Sequence, residues 1–179
     1  TIQTFNLIRV GSTFNNRIGR KIQMKSIYIN GAFNIAAANT SYNNVRLLLV
    51  YDKQTNGAQA TFSDIIQSLD QGTTTSSNAF DGINLNNRER FVILMDKRFT
   101  FGGIGTQAAV NFVYPTGEDV RVQEYRRLKG LETQFKADSS PAVVGDIATG
   151  SLLFVTIGTA NLNLGHTFTG TARLRFTDN

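Results

Sequence analysis

Any chemistry in this 179-residue chain has to be built with a single histidine, His166, and no cysteine. That inventory excludes disulfides, thiolate catalysis and Cys/His zinc sites. A Ser/His/Asp arrangement would have to use His166, and no spacing in the sequence sets an acid and a nucleophile beside it. Gly102, Gly103 and Gly105 lack the following Lys-Ser/Thr and the helix that a phosphate-cradling loop requires, so they are expected to be turn glycines. Glu118, Asp119, Asp138 and Asp146 carry oxygen ligands suited to calcium between subunits, but their spacing fits no calcium loop. No catalytic residue, metal or cofactor is expected, and no enzymatic activity.

What remains is charge. The chain carries 18 Lys+Arg against 13 Asp+Glu, a net charge of +5. Its distribution is uneven. Residues 1 to 51 hold Arg9, Arg17, Arg20, Lys21, Lys25 and Arg46 and no acid, giving +6, which leaves 12 basic and 13 acidic residues in the remainder, or −1. A basic, acid-free first third on a near-neutral body suits contact with a polyanion. A solvated face would show the same charge.

The elements that must position these groups follow from periodicity. In RIGRKIQMKSIYINGAF, Arg17 to Phe33, apolar Ile22 and Met24 alternate with Lys21, Gln23 and Lys25, the period of a strand with one face buried. After Ser26 the apolar residues Ile27, Ile29 and Phe33 fall on the opposite parity. An unbroken ladder would turn them away from the core, so a bulge near Lys25 and Ser26 is expected. Val45 to Tyr51 and Ser151 to Gly158 are apolar on both parities, as strands covered on both faces are. Thr61 to Leu69 has helical spacing at Phe62, Ile65, Ile66 and Leu69, and Thr61 with Asp64 has the form of a capping box.

Arg88 to Phe101 sets Phe91, Ile93, Met95, Phe99 and Phe101 on one parity, which predicts a long strand with Phe91, Ile93 and Met95 inside the core and Lys97 as an intruder. Gly102, Gly103 and Gly105 end it, and Ala108 to Tyr114 suits a short strand before Pro115. Val120 to Lys136 is ambiguous, since Val122, Tyr125, Leu128, Leu131 and Phe135 permit a helix that Gly130 would weaken. In the last strand, from His166, Phe168, Gly170, Ala172, Leu174 and Phe176 face one way and threonines with Arg173 and Arg175 face the other. Thr4 to Val10 is a short strand or arm, and Asn56-Gly57 and Asp81-Gly82 mark turns.

Seven or eight strands, one short helix and no strand–helix alternation define an all-β, two-layer protein. Long loops and doubly covered strands favour a jelly-roll sandwich over an immunoglobulin-like one. Length fits one domain: residues 1–15 as an N-terminal arm or short strand, and residues 16–179 as the jelly roll. Mean hydropathy is −0.15, and no apolar run approaches the roughly 18 residues of a membrane span. No signal or transit peptide is read at the start. The chain opens Thr-Ile-Gln without an initiator methionine, which leaves room for an upstream basic segment.

In order along the chain, RIGRKIQMKSIYINGAF, LLLVYDKQTNG (Leu47 to Gly57), the short helix Phe62 to Leu69, NNRERFVILMDKRFTFGG (Asn86 to Gly103), TGSLLFVTIGT and TGTARLRFTDN resemble the coat proteins of geminiviruses and related circular single-stranded DNA viruses. The likeness covers Arg17 to the C-terminus. It implies a viral jelly roll of about eight strands and a strand rather than a helix over Arg126 to Lys136. It also implies a self-assembling icosahedral shell, 60 copies being one form, around a circular single-stranded DNA genome. The location implied is the virion, with assembly in the host nucleus. Host, receptor and vector are not implied. The chain departs from many such coat proteins in lacking their cysteine- and histidine-bearing positions and their long basic N-terminal region.

Under that resemblance Arg17, Arg20, Lys21 and Lys25 lie where an interior-facing N-terminal region joins the shell, and they are the first candidates for phosphate contact. Arg126, Arg127 and Lys129 form a second set, with Glu124 and Glu132 close enough in sequence to neutralise them. Arg88 and Arg90 flank Glu89 and suit surface or intersubunit ion pairs. Phe14 and Tyr28 are aromatic platforms for stacking bases or, equally, core residues. Arg173 and Arg175 are expected to lie apart from the nucleic-acid site. Three other functions fit the fold: a small plant RNA virus coat, a carbohydrate-binding jelly roll, which the absence of tryptophan disfavours, and a secreted trimeric signalling sandwich, which leaves the basic start unexplained. Particle size separates a coat from the last two.

Overall fold

The computed structural model of the chain describes residues 1–35, 43–67, 78–101, 120–140, 142–158 and 166–178. Among these residues there are ten strands: β1 (Ile2–Thr4), β2 (Lys21–Ile35), β3 (Asn43–Asp52), β4 (Ile66–Gln67), β5 (Gly82–Ile83), β6 (Phe91–Phe101), β7 (Val120–Phe135), β8 (Ile147–Thr149), β9 (Ser151–Gly158) and β10 (His166–Asp178). One short α-helix, α1, spans Phe62–Ile65. Eight strands form two four-stranded antiparallel sheets, β1-β9-β3-β6 and β10-β2-β7-β8, and β4 with β5 makes a small separate ladder. The chain crosses between sheets at β1 to β2, β2 to β3, β6 to β7, β8 to β9 and β9 to β10. This is the jelly-roll-like all-β sandwich that the strand pattern predicts. The expected turn glycines 102, 103 and 105, the strand over Ala108 to Tyr114, residues 71–77, and Glu118 with Asp119 lie outside the described residues.

Strand β2 sits at the centre of its sheet and carries the expected bulge. Met24 pairs with Phe176 of β10 and Leu131 of β7, while Ser26 pairs with Arg175 and Arg127. Lys25 is therefore passed over on both sides. The insertion lets Ile22 and Met24 before it, and Ile27, Ile29 and Phe33 after it, all reach the same core, where each is fully buried. Across the ladder β7 makes a matching excursion: Leu128, Lys129 and Gly130 oppose Lys25 alone, and Lys129 (φ 50°) and Gly130 (φ 77°) both take the left-handed conformation. Buried positions on β7 then switch from Val122 and Leu128 to Thr133 and Phe135. Two extra residues in a strand imitate helical spacing, which is why this segment is ambiguous in the sequence and yet extended.

Both faces of β3 are covered, as its composition demands. Val45, Leu47, Leu49 and Tyr51 pack between the sheets with Leu152 and Phe154 of β9. On the outer side Leu48 and Val50 join Leu153, Val155, Ala60, Ile65 and Ile66 in a second apolar cluster beneath α1. The helix is shorter than its sequence period suggests. Asp64 accepts from the Thr61 N–H (2.8 Å to the Thr61 hydroxyl as well), forming the capping contact, but Ile66 is already extended and pairs with Ile83.

Strand β6 requires a correction. Met95 packs in the intersheet core, whereas Phe91 and Ile93 belong to the outer cluster. Leu49 pairs with Met95 and Val50 with Ile93, so Leu94 is an extra residue that reverses the parity. The intruder Lys97 forms an ion pair with Glu124 of β7 at the edge where the two sheets meet.

Buried polar residues fasten the sheets together. Asn6, fully buried, donates through Nδ2 to Thr133 Oγ1 (2.8 Å) and to the Gly150 carbonyl (2.8 Å), and its Oδ1 accepts from the Leu152 N–H (2.9 Å). One amide thus joins β7 to β9 across the sandwich. Buried Asp146 accepts from Ser139 Oγ (2.5 Å) and the Val143 N–H (2.9 Å). The Ser139 hydroxyl first, then the Val143 N–H, hold its carboxyl below the usual carboxylate range. A depressed carboxylate stabilises the fold above its unfolded pKa, and that stabilisation is lost as pH falls through the folded value. Melting temperature should therefore drop on acidification below about pH 4, and Asp146→Asn should drop less steeply. Parallel curves for the two proteins would remove Asp146 as a contributor.

Candidate nucleic-acid interface

The first basic set is not uniform in the structure. Arg17 is 1% exposed. Its backbone forms a bridge with Val10, and its guanidinium lies 3.9 Å above the Phe135 ring. From there it donates to the carbonyls of Ile8 (3.2 Å), Gly19 (2.6 Å) and Ala137 (3.2 Å) and to the Asp138 carboxylate (2.5 Å). This arginine is engaged in closing the entry to β2. Lys21 is half-exposed and pairs with Glu132 at 2.8 Å. That contact is the main reason the Glu132 carboxyl is held below its ordinary range. Arg20 and Lys25 are exposed, and Lys25 Nζ donates only to Gln23 Oε1 (3.2 Å) among the described contacts.

The second set divides because neighbours on a strand face opposite ways. Arg126 lies opposite Ile27 and turns toward Glu124, 4.0 Å away, while its Nε is buried without a partner among the described residues. Arg127 and Lys129 are exposed on the other face. Arg90 is an intrachain group rather than an intersubunit one: it makes a bidentate bond (2.8 and 2.8 Å) to fully buried Asp52. Arg88 and Glu89 form the surface pair expected, at 3.5 Å. Phe14 is 100% exposed, and Tyr28 is half-buried on the outer face of β2.

Strand register adds residues that sequence reasoning set aside. Arg173 of β10, Tyr28 of β2 and Tyr125 of β7 lie in one cross-strand row, and Arg175, Ser26 and Arg127 lie in the next. Two rows along, Thr169, Ala32 and Arg121 complete the same outer face. The alternation of Thr and Arg in the last strand is the signal that identifies Arg173 and Arg175 as solvent-facing. Their adjacency to Arg127 and Lys25 depends on the pairing of β2 with two distant strands. Arg173 and Arg175 therefore cannot serve as a remote comparison for this site.

The surface so assembled joins cations to aromatic rings. Tyr125 is 55% exposed. Its hydroxyl is held below the ordinary tyrosine range, chiefly by a hydrogen bond with Ser26 and then by Arg127 and the charge of Arg175. The Gln123 side-chain amide donates to Tyr28 Oη at 2.7 Å. Among the described residues there is no grouping of three His, Asp or Glu able to hold a metal.

A two-sheet antiparallel sandwich with an accessible basic surface fits the family comparison, in which residues 1–179 match the model of the geminivirus coat protein/nuclear export factor BR1 family. The chain belongs to that family. It is a viral coat protein, a structural component of the virion, and its role is non-enzymatic. Coat function entails self-association and enclosure of nucleic acid, and no helix among the described residues is long and apolar enough to cross a membrane. No curated protein matches the chain.

Proposed function

We propose that this coat protein closes into an icosahedral shell around a circular single-stranded DNA genome, and that Arg20 and Lys25 contact phosphates without reading sequence. Lys21 contributes when Glu132 releases it, and Arg17 holds the segment in place. The observation that carries the reading is that the acid-free basic lead carries two exposed cations, Arg20 just before β2 and Lys25 within it, in a chain of this family. About sixty copies, one for each rotation of the icosahedral group, would make the simplest shell of that symmetry. The family description, which joins coat proteins with a nuclear export factor, supports assembly in the host nucleus.

Two measurements test this. Electron microscopy of purified protein over a range of salt and concentration should show closed particles; monomers throughout would defeat the shell. Single-stranded DNA binding should weaken with salt, and each lost phosphate contact should reduce the slope of log affinity against log salt by about 0.7. Arg20→Ala/Lys25→Ala should therefore flatten it by about 1.4, and an unchanged slope would exclude these two residues. Imaging of the expressed protein outside the nucleus at all stages would remove the nuclear step.

A further inference from the structure

We propose that the outer face of β10-β2-β7 is a stacking platform for single-stranded nucleic acid, with bases lying on Tyr125 and Tyr28 and phosphates held by Arg127, Arg173 and Arg175. The proposal rests on the packaging reading above and names a second contact surface for it, built from residues other than Arg20 and Lys25 and adjoining Lys25 along β2. Adjacent strands lie about 4.8 Å apart and alternate residues about 7 Å apart along a strand. At the level of Cα atoms these five residues therefore occupy about 10 Å by 7 Å.

Three observations converge on that patch. Its rows, Arg173-Tyr28-Tyr125 and Arg175-Ser26-Arg127, contain no acid, and neither do the two rows beyond, Thr171-Asn30-Gln123 and Thr169-Ala32-Arg121. None of Arg121, Arg127, Arg173 and Arg175 makes an ion pair among the described residues, unlike Arg17, Arg46 and Arg90, whose carboxylate partners are at 2.5 to 2.8 Å. Cations gathered without counter-charge on one sheet face repel one another, and a polyanion removes that repulsion. The third observation is the ring exposure. More than half of Tyr125 is open to solvent, on the face of β7 opposite to Glu124 and Arg126. An exposed ring among guanidiniums offers a π-face to any base, so the surface tolerates sequence and demands an unstacked strand. Gln123, by fixing the Tyr28 hydroxyl, holds the second ring beside the first. Duplex DNA, whose bases are already stacked internally, gains only the phosphate contacts.

The test is fluorescence anisotropy of the full chain with a mixed-sequence single-stranded DNA, the same sequence as RNA, and the corresponding DNA duplex, each over a salt series. Tyr125→Ala should weaken single-strand binding about 5- to 150-fold, the range seen for lost base stacking, at unchanged salt slope. Tyr125→Phe keeps the ring and should stay within about two-fold. Arg127→Gln/Arg175→Gln should flatten the slope by about 1.4. Single-stranded DNA and RNA should bind alike and better than duplex. Melting temperatures of the variants check that the exposed substitutions leave the fold intact. Wild-type affinity in Tyr125→Ala, or tighter binding of duplex, overturns the platform. If that happens while Arg20→Ala/Lys25→Ala still loses binding, packaging through the lead stands alone. If wild-type shells bind no single strand at all, the packaging reading falls with it.

Discussion

Phe33→Ala should destabilise the protein by about 3–5 kcal/mol, the range for truncating a fully buried aromatic. Phe33 is 0% exposed. Its ring centroid lies 5.7 Å from Phe99 of β6 and 5.1 Å from Phe168 of β10, and Phe168 in turn lies 4.9 Å from Phe154, which stacks on Phe5 at 4.9 Å. This file of rings passes from one sheet to the other and back, so the cavity left by Phe33 cannot close without moving both sheets. For a chain of this size each kcal/mol shifts the melting temperature by about 2–4 °C, so calorimetry should show a fall of about 6–20 °C. Phe14→Ala, at a fully exposed ring, should stay within about 0.5 kcal/mol. Equal melting temperatures for the two variants would contradict the packing described for β2.

Arg17→Ala should cost about 3 kcal/mol in stability and leave the salt slope of DNA binding unchanged in the protein that remains folded. Truncation strands three carbonyls, those of Ile8, Gly19 and Ala137, and strips the cation from the face of Phe135. Asp138 is half-exposed and is resolvated by water, so the figure stays at the low end for a broken buried pair. Arg20→Ala should do the opposite, leaving melting unchanged within about 0.5 kcal/mol and reducing the slope by about 0.7. Denaturant unfolding and a salt series on both proteins separate holding from binding. A stable Arg17→Ala protein with a flattened slope would reverse the two assignments.

How far the sequence is legible depends on whether a wrong placement would leave a polar group inside. The bulge at Lys25 shows because a lysine and a change of apolar parity mark it together. The bulge at Leu94 does not, since Val92, Ile93, Leu94 and Met95 are all apolar and a parity reversal among them leaves no trace. The end of α1 is hidden for the same reason: Ile66 is buried whether the chain stays helical or turns extended. The candidate site is legible as charge but not as place. Arg17 looks like its neighbours because its acceptors are mostly backbone carbonyls, which have no residue signature. Arg173 and Arg175 meet Tyr125 only through β2, a relation that no local period contains.

The central position of β2 also sets a schedule for the newborn chain. Its apolar face, Ile22 to Phe33, is synthesised early, yet its neighbours are Val120–Phe135 and His166–Asp178. Ile22 pairs with Asp178, and 178 − 22 leaves 156 residues still to be made. At about 5–20 residues per second the wait is roughly 8–30 s. Until Val120–Phe135 is made, a strand with two unpaired edges and five large apolar side chains has no partner in its own sheet, and one edge stays open until His166–Asp178 follows. Nascent coat chains on one messenger would offer one another the same strand, so occupancy by a holding chaperone, or dilution of ribosomes, should decide the yield of assembly-competent protein more than the final stability does.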